Sequence, residues 1–416
     1  MKYTRQRGTR DILPSKVRTW QFLEDSARAV FESYNYAEIR TPIFEQTELF
    51  TRSIGEDTDI VGKEMYTFTD KGERSITLRP EETAPVVRAI IENNLLGQND
   101  FLKLYYLGPM FRYERPQAGR SRQFSQAGVE VLGSSDPLID AEVIELGLRY
   151  LIQIGLKELE VDINSVGCKK CRPKYKDELK KYLKGRARDL CETCQKRLEG
   201  NTLRVLDCKE PKCQKAIEGA PSSIEYLCKE CGDHFDKVKT YLNEYDIRFK
   251  LNKRLVRGLD YYTKTTFEII SRSLGAQNAV CGGGRYDTLV EELGGRATPA
   301  MGFAIGIDRL VIVMEEQKVK VSEGERLQVY VVTLGDAARE KGLEVLRNLR
   351  NMGIKSDMDY MGRSLNSQLK AADKYRAQFA IIIGDDELKN GLAIIKSMDN
   401  KTQEKVKFEE VLRKFI

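Results

Sequence analysis

Three short stretches, far apart in the chain, carry arginine where strand-like sequence gives way. Gly108-Pro109-Met110-Phe111-Arg112-Tyr113-Glu114-Arg115 reads as a strand closing on two arginines and a glutamate. Gly302-Phe303-Ala304-Ile305-Gly306-Ile307-Asp308-Arg309-Leu310 alternates glycine with apolar residues, then sets Arg309 at the start of an apolar run. Between them lies Arg254-Leu255-Val256-Arg257-Gly258-Leu259-Asp260-Tyr261-Tyr262. A guanidinium grips phosphate oxygens through a planar, bidentate fork and stays charged. Arginines so placed suit a reaction whose transition state gathers negative charge on phosphate oxygens. Such a reaction needs cations and positioning more than acid–base groups. The single histidine, His234, rules out a three-histidine metal site.

A second chemistry is written between residues 168 and 231. Cys168-Lys169-Lys170-Cys171, Cys191-Glu192-Thr193-Cys194 and Cys228-Lys229-Glu230-Cys231 are CxxC pairs, and Cys208 with Cys213 makes a looser fourth. This spacing matches structural zinc and allows two four-cysteine sites. Reduced thiols packed into a core are the other reading. A cytoplasmic chain would not hold these cysteines as disulfides. His234, just past Cys231, is expected to be exposed rather than a ligand. Cys281, the ninth cysteine, reads as a buried small residue.

These groups need a scaffold. Residues 15–35 read as a helix, with Ser15 a capping candidate and Val17, Trp20, Leu23, Ala27, Val30 and Phe31 three or four apart. A short strand, Ala37 to Thr41, follows and ends before Pro42. Residues 101–115 and 122–132 read as an antiparallel hairpin joined by a basic loop, Pro116-Gln117-Ala118-Gly119-Arg120. The region 168–250 looks like a helical, cysteine-rich insertion, with strand pattern resuming by Phe267-Glu268-Ile269-Ile270. Past Ser322-Glu323-Gly324-Glu325, a linker, strands at 329–333 and 379–383 alternate with helices at 337–352 and 365–376, the mark of a small α/β domain with a partly parallel sheet. The division expected is 1–322 and 325–416. Glycines 282–284 and their neighbours imply close backbone approach, not a Rossmann phosphate loop.

Composition sets limits. Apolar residues make up 41% of the chain, ample for buried cores, yet no apolar run approaches the roughly 20 residues a membrane helix needs. No apolar signal segment opens the sequence, so a soluble, cytoplasmic protein is expected. Residues 168–231 hold 17 Lys and Arg against 10 Asp and Glu, more than the whole chain's net +6, so the insertion is a basic module on a near-neutral body.

The arginine motifs resemble motifs 2 and 3 of class II aminoacyl-tRNA synthetases, and the helix–strand–proline opening resembles motif 1, their dimer element. Arg254–Tyr262 and Gly282-Gly283-Gly284-Arg285-Tyr286-Asp287 narrow the resemblance to bacterial-type histidyl-tRNA synthetases, over essentially the whole chain. The resemblance implies an α+β fold: an antiparallel-sheet catalytic domain carrying the helical insertion, and a C-terminal α/β anticodon-binding domain. It implies ATP with Mg²⁺, L-histidine and tRNA(His) as substrates, and a homodimer. Arg112 would contact the α-phosphate and the substrate carboxylate, Arg309 the γ-phosphate, and Arg257 would be the main catalytic cation. Glu81, Thr83 and Gln126 would hold the α-amino group. Glu130 and Tyr262, with Tyr261 adjacent, would face the imidazole, and Tyr286 would close the pocket. A site that pairs a ligand N–H rejects analogues lacking it by roughly 10⁴-fold or more. Gln117, Arg120 and Arg122 would meet the tRNA acceptor end. Gly302 and Gly306 would leave room for ATP. Asp308 stands where the class usually has glutamate, which leaves Arg309's role untouched but gives the shorter carboxylate none.

Two other readings compete. A non-catalytic, histidine-sensing paralogue of histidine biosynthesis shares the catalytic fold but should lack these arginines and the C-terminal domain. A zinc-dependent RNA-binding module would account for residues 168–231 alone.

Overall fold

The computed structural model describes residues 3–55, 58–117, 119–273, 278–322 and 324–415. Ala118 of the basic loop and Glu323 of the linker lie outside the described residues. The chain forms two compact units, Met1–Val321 and Ser322–Ile416.

The first unit is built on an eight-stranded sheet: β1 (Ala37–Glu38), β2 (Leu102–Phe111), β3 (Gln123–Leu132), β4 (Leu159–Ser165), β5 (Phe249–Leu251), β6 (Thr263–Ser271), β7 (Ala279–Arg285) and β8 (Ala300–Gly306). Its order is β1-β2-β3-β8-β7-β6-β4-β5, parallel only at the two outer pairs and antiparallel between. The period-two alternation of a strand decides which face each side chain meets. On β3, Ala127, Val129 and Val131 enter the main core beneath the helices Pro14–Ser33 and Pro137–Gln153, while Gln126 and Glu130 face a cavity on the opposite side. The first helix buries Trp20, Leu23, Ala27, Val30 and Phe31 as its spacing predicts. It starts one residue earlier than expected: Pro14 occupies the first turn, where its missing N–H costs nothing, and no side chain caps it. The strand expected over Ala37–Thr41 shrinks to Ala37–Glu38.

The insertion leaves the sheet after β4 and returns at β5. It holds the helices Arg172–Lys184, Glu192–Arg197, Pro211–Ala216 and Lys229–Glu244 joined by 3₁₀ turns. Its own core is small, centred on Tyr175, Leu179, Leu183, Leu190 and Val205, with Cys194, Cys208 and Cys213 among its members. The last helix turns back onto the body, where Phe235, Val238 and Leu242 join the main core.

The second unit has a five-stranded sheet, ordered 356–358, 329–333, 379–383, 392–397, 403–407, parallel across the first three strands and antiparallel beyond. Helices Asp336–Asn351 and Leu365–Lys374 cover it. Among the described residues no helix is long and apolar enough to cross a membrane.

Candidate active site

The cavity over the middle of the large sheet, about 310 Å³, is lined by Glu81, Thr83, Arg112, Arg120, Gln126, Glu130, Arg257, Tyr261, Tyr262, Tyr286 and Arg309. Residues scattered over the first unit thus meet in one space, and the sheet register explains how. Glu130 on β3 stands opposite Gly302 on β8. A Cβ at residue 302 would fall 2.0 Å from Glu130 Oε2 and 2.4 Å from the Val129 carbonyl oxygen. Gly302 therefore makes room for Glu130 and not, as the resemblance led us to expect, for ATP. Gly306, whose Cβ would meet nothing nearer than Arg309 Cβ at 3.8 Å, does border open cavity. The glycines of β7 are needed for close approach: a Cβ at Gly282 would sit 2.4 Å from the Arg257 guanidinium, and one at Gly283 would sit 2.1 Å from the Gly302 carbonyl oxygen.

Glu130 is buried and accepts hydrogen bonds from Thr83 Oγ1 at 2.7 Å and from the Tyr286 hydroxyl. Burial pushes its carboxyl up to about 8, with the Thr83 and Tyr286 hydrogen bonds pulling the other way and Glu81 and Glu82 adding to the rise. Glu81 accepts the backbone N–H groups of Thr83 at 2.8 Å and Ala84 at 2.9 Å, and so closes the start of the Thr83–Glu92 helix. Burial raises its pKa despite these donors. Behind them, the buried pair Arg79–Glu82, 2.9 Å apart, locks this corner in place, because Arg79 also donates to the carbonyls of Thr41 and Pro109 at 3.0 Å each. Tyr261 stacks obliquely on Tyr262 at 4.8 Å and meets Tyr286 edge-on at 5.7 Å, so the three rings form one buried wall. The Gln126 Oε1 has no hydrogen-bond partner among the described residues and is free to accept from a ligand.

The arginines occupy the wider part. Arg112 is anchored through Nε to the Pro80 carbonyl at 2.9 Å and lies over the Phe124 ring. Arg257 pairs with Glu268. Burial works against its charge, and Glu268 overrides that, so its pKa lies above the ordinary value. Arg309 donates to the Ala279 carbonyl; burial, with Arg120 nearby, lowers its pKa. Four arginines line the cavity; Glu114 pairs with Arg120 and Glu268 with Arg257, whereas Arg112 and Arg309 are held by backbone carbonyls and keep their charge for an anion. Asp308 is turned away from that task, accepting from Arg10 and from the Ser125 N–H at 2.6 Å.

Of the residues expected at the tRNA acceptor end, only Arg120 reaches the cavity wall, where it pairs with Glu114 at 2.9 Å. Gln117 pairs with Arg120 in the tight turn at Gly119, and Arg122 packs over the Tyr113 ring at 3.7 Å. Glu268 and Tyr106 are among the wall residues that escaped the sequence reading. Glu268 was signalled by a lone charge in the apolar strand Phe267-Glu268-Ile269. Tyr106 fills the space above Gly128, its partner in the β2–β3 register, and nothing local in the sequence marks it.

The eight insertion cysteines gather into two clusters, Cys168 with Cys171, Cys228 and Cys231, and Cys191 with Cys194, Cys208 and Cys213. His234 belongs to neither, and it is not exposed as expected. Its Nε2 lies 2.8 Å from Asp140 Oδ2, and the ring is 7% exposed. The helical stagger from Cys231 turns it into the body, where the fully buried Arg285 holds the other oxygen of Asp140 at 2.7 Å. Burial alone would raise the Asp140 pKa, but Arg285 and His234 bring it below the usual range. Cys281 is buried, as expected.

Known proteins fit this geometry. A family model described as "Histidyl-tRNA synthetase" matches residues 8–310, and one described as "Anticodon binding domain" matches residues 328–416. The histidine–tRNA ligase of Halothermothrix orenii is 54% identical over 94% of each chain, and that of Desulforamulus reducens is 51% identical over 99% of this chain and 98% of its own. The crystal structure of apo S. aureus histidyl-tRNA synthetase superposes with a TM-score of 0.84 at 40% identity, covering 99% of both chains. On that match and those identities, the chain belongs to the histidyl-tRNA synthetase family.

Proposed function

We propose that this chain activates L-histidine with ATP to histidyl-adenylate and transfers the histidyl group to the 3′ end of tRNA(His). The observation that carries this reading is the convergence of Arg112, Arg257 and Arg309 on one cavity whose inner end is the buried Glu130. The histidine carboxylate attacks the α-phosphorus of ATP and pyrophosphate departs. Negative charge builds on the α-phosphate oxygens, where Arg112 and Arg257 stabilise it, while Arg309 holds the γ-phosphate. Mg²⁺ enters with the triphosphate and offsets its charge. Glu130 accepts from one imidazole nitrogen and Tyr262 faces the other, with Tyr261 beside it. Glu81, Thr83 and Gln126 hold the α-amino group, and Tyr286 closes the pocket.

In this reading residues 1–322 are a class II catalytic domain and 325–416 the anticodon-binding domain. The basic insertion clamps the tRNA body, and Gln117, Arg120 and Arg122 meet the acceptor end. The protein works as a cytoplasmic homodimer, and the insertion cysteines hold structural zinc. The histidine-sensing paralogue draws no support, because the three arginines keep their places on the cavity wall.

The test is histidine-dependent exchange of pyrophosphate into ATP, with the other amino acids as controls. Exchange with histidine alone is expected. Folded protein that binds histidine without exchange would move the assignment to the regulatory paralogue.

A further inference from the structure

We propose that the insertion carries two separate zinc sites. Cys168, Cys171, Cys228 and Cys231 hold one ion at its base, Cys191, Cys194, Cys208 and Cys213 hold another at its tip, and the base site positions the tyrosine wall of the histidine pocket. The coupling to the pocket rests on the function proposed above, whereas the metal sites do not.

The sulfur geometry fits the ion. In each cluster one sulfur from each of four cysteines lies within 4.8 Å of all the others. The Sγ separations Cys168–Cys171 of 3.7 Å, Cys168–Cys228 of 3.9 Å, Cys171–Cys231 of 3.9 Å and Cys191–Cys208 of 3.9 Å are far too long for disulfides. They approach the edge of a sulfur tetrahedron around zinc, roughly 3.8 Å for a Zn–S bond of about 2.3 Å. Backbone donors also point at sulfur, with the Cys168 N–H 3.2 Å from Cys171 Sγ and the Cys191 N–H 3.1 Å from Cys213 Sγ. Such donors favour thiolates over thiols. The sharing is nested: the first and last cysteine pairs of the insertion make the base site, and the two middle pairs make the tip. Two tetrathiolate zinc sites, each of net charge −2, would cut the excess of seven positive charges over residues 168–231 to about three.

Both arms of the base site lead to the pocket. On one side, Arg172 directly follows Cys171. It donates to the carbonyls of Val166 and Gly167 at 3.2 Å each, and to the Tyr262 carbonyl. Gly167 has φ +69° and lies so close that a Cβ there would stand 2.7 Å from Cys171 Sγ. On the other side, Cys231 opens a turn of helix that carries His234 to Asp140, and Asp140 holds Arg285, the residue before Tyr286. Tyr262 and Tyr286 both line the histidine pocket. Joining Cys171 to Cys231 through one ion fixes the two chains that hold these tyrosines relative to each other. The tip site is tied to them less directly, through Asn201, seven residues past Cys194, whose Nδ2 donates to the side chain of Asp260 at 2.6 Å.

The first measurement is metal content, by plasma mass spectrometry, of full-length protein purified without chelator. Two zinc ions per chain are expected, falling to about one in either Cys228→Ser or Cys194→Ser. Less than a few tenths of an ion per chain, or loss of both ions from a single substitution, would overturn the two sites. Should a variant fail to fold, titration of chelator-stripped wild-type protein with Co²⁺ replaces it. Thiolate-to-metal absorption should then saturate at two equivalents, and its absence would count against the sites in the same way. Histidine affinity by calorimetry tests the coupling. Cys228→Ser, or chelator treatment of the wild type, should weaken binding several-fold, and Cys194→Ser should leave it within about twofold. Equal effects of the two substitutions would overturn the positioning role. A chain that binds histidine but holds no zinc overturns the sites and their positioning role and leaves the functional reading standing; one that holds two zinc ions but binds no histidine overturns the functional reading and the coupling with it.

Discussion

Glu130 and Cys194 are both buried, but different neighbours fix them. Glu130 sits eighth in a ten-residue strand, between two antiparallel partners, where the register with Gly302 and Leu104 leaves its side chain one place to go. Cys194 sits in a six-residue helix, too short to stand alone, inside a core that counts three of its own cysteines as members. The pocket is therefore held by a framework that would exist without the chemistry. The insertion is held largely by the groups that would bind its metal. A pocket side chain can then be changed at the expense of function with little loss of stability, and an insertion cysteine cannot.

The largest expected effect tests the first half of that contrast. Arg257→Ala should lower adenylate formation by roughly 10²- to 10³-fold, the loss expected when one preorganised charge is removed from a transition state. Histidine affinity should change little, because Arg257 pairs with Glu268 on the wider side of the cavity and meets the tyrosine wall through Tyr262, whose ring stays packed on Tyr261. Its removal leaves the strand pairing intact, so the melting temperature should hold. Single-turnover formation of adenylate, read beside a thermal melt, decides the matter. Near wild-type turnover would remove Arg257 from the chemistry, and a collapsed melt would show that the pocket is not as independent of its charges as the sheet suggests.

Much of this was legible in the sequence, and unevenly so. Arg112, Arg257, Arg309, Glu130 and the three tyrosines could be named in advance because each sits in a short run of characteristic residues. The strands holding Glu130 and Gly302 could be named from their alternation. What stayed hidden were facts of register. That Gly302 yields its volume to Glu130 and not to a ligand depends on which residue of β8 faces which of β3, and neither segment carries that alone. Tyr106 was missed for the same reason, being defined by the glycine across from it. The cysteines show the converse. Spacing exposed four local pairs but not which pair shares a site with which, since that follows from how the helices fold back. His234 was misjudged because a charged, lysine-rich neighbourhood hid the inward face of its helix, on which Phe235 and Val238 are also buried.

A smaller effect sharpens the account of the pocket floor. Glu130→Gln keeps the shape but gives up the carboxylate. Measured above pH 8, where the Glu130 carboxyl is ionised, it should weaken histidine binding roughly ten- to a hundredfold, the loss that follows when a hydrogen bond to a charged group is replaced by a neutral one in a buried site. Calorimetry with histidine and with an analogue lacking the ring N–H would test it. The variant should lose preference between the two; unaltered affinity would take Glu130 out of the imidazole site.

The same substitution should also change how stability depends on pH. In the folded chain the Glu130 carboxyl titrates at about 8, and an unfolded glutamate titrates near 4.3. Between those values the folded state keeps a proton that the unfolded state has released. Stability then falls as pH rises through this window and levels off above it. Glutamine does not titrate. The stability of Glu130→Gln relative to wild type should therefore climb from about pH 4.3 to about pH 8 and then stay flat. Glu82, whose burial also lifts it to about 8, is present in both proteins, so the difference reports mainly the Glu130 proton. Thermal unfolding of the two proteins across that range provides the comparison. A difference independent of pH would mean that the hydrogen bonds from Thr83 and Tyr286 already keep Glu130 ionised in the empty pocket. The strand framework would then be carrying a buried negative charge, and the pocket would depend on its polar contacts as closely as the insertion depends on its sulfurs.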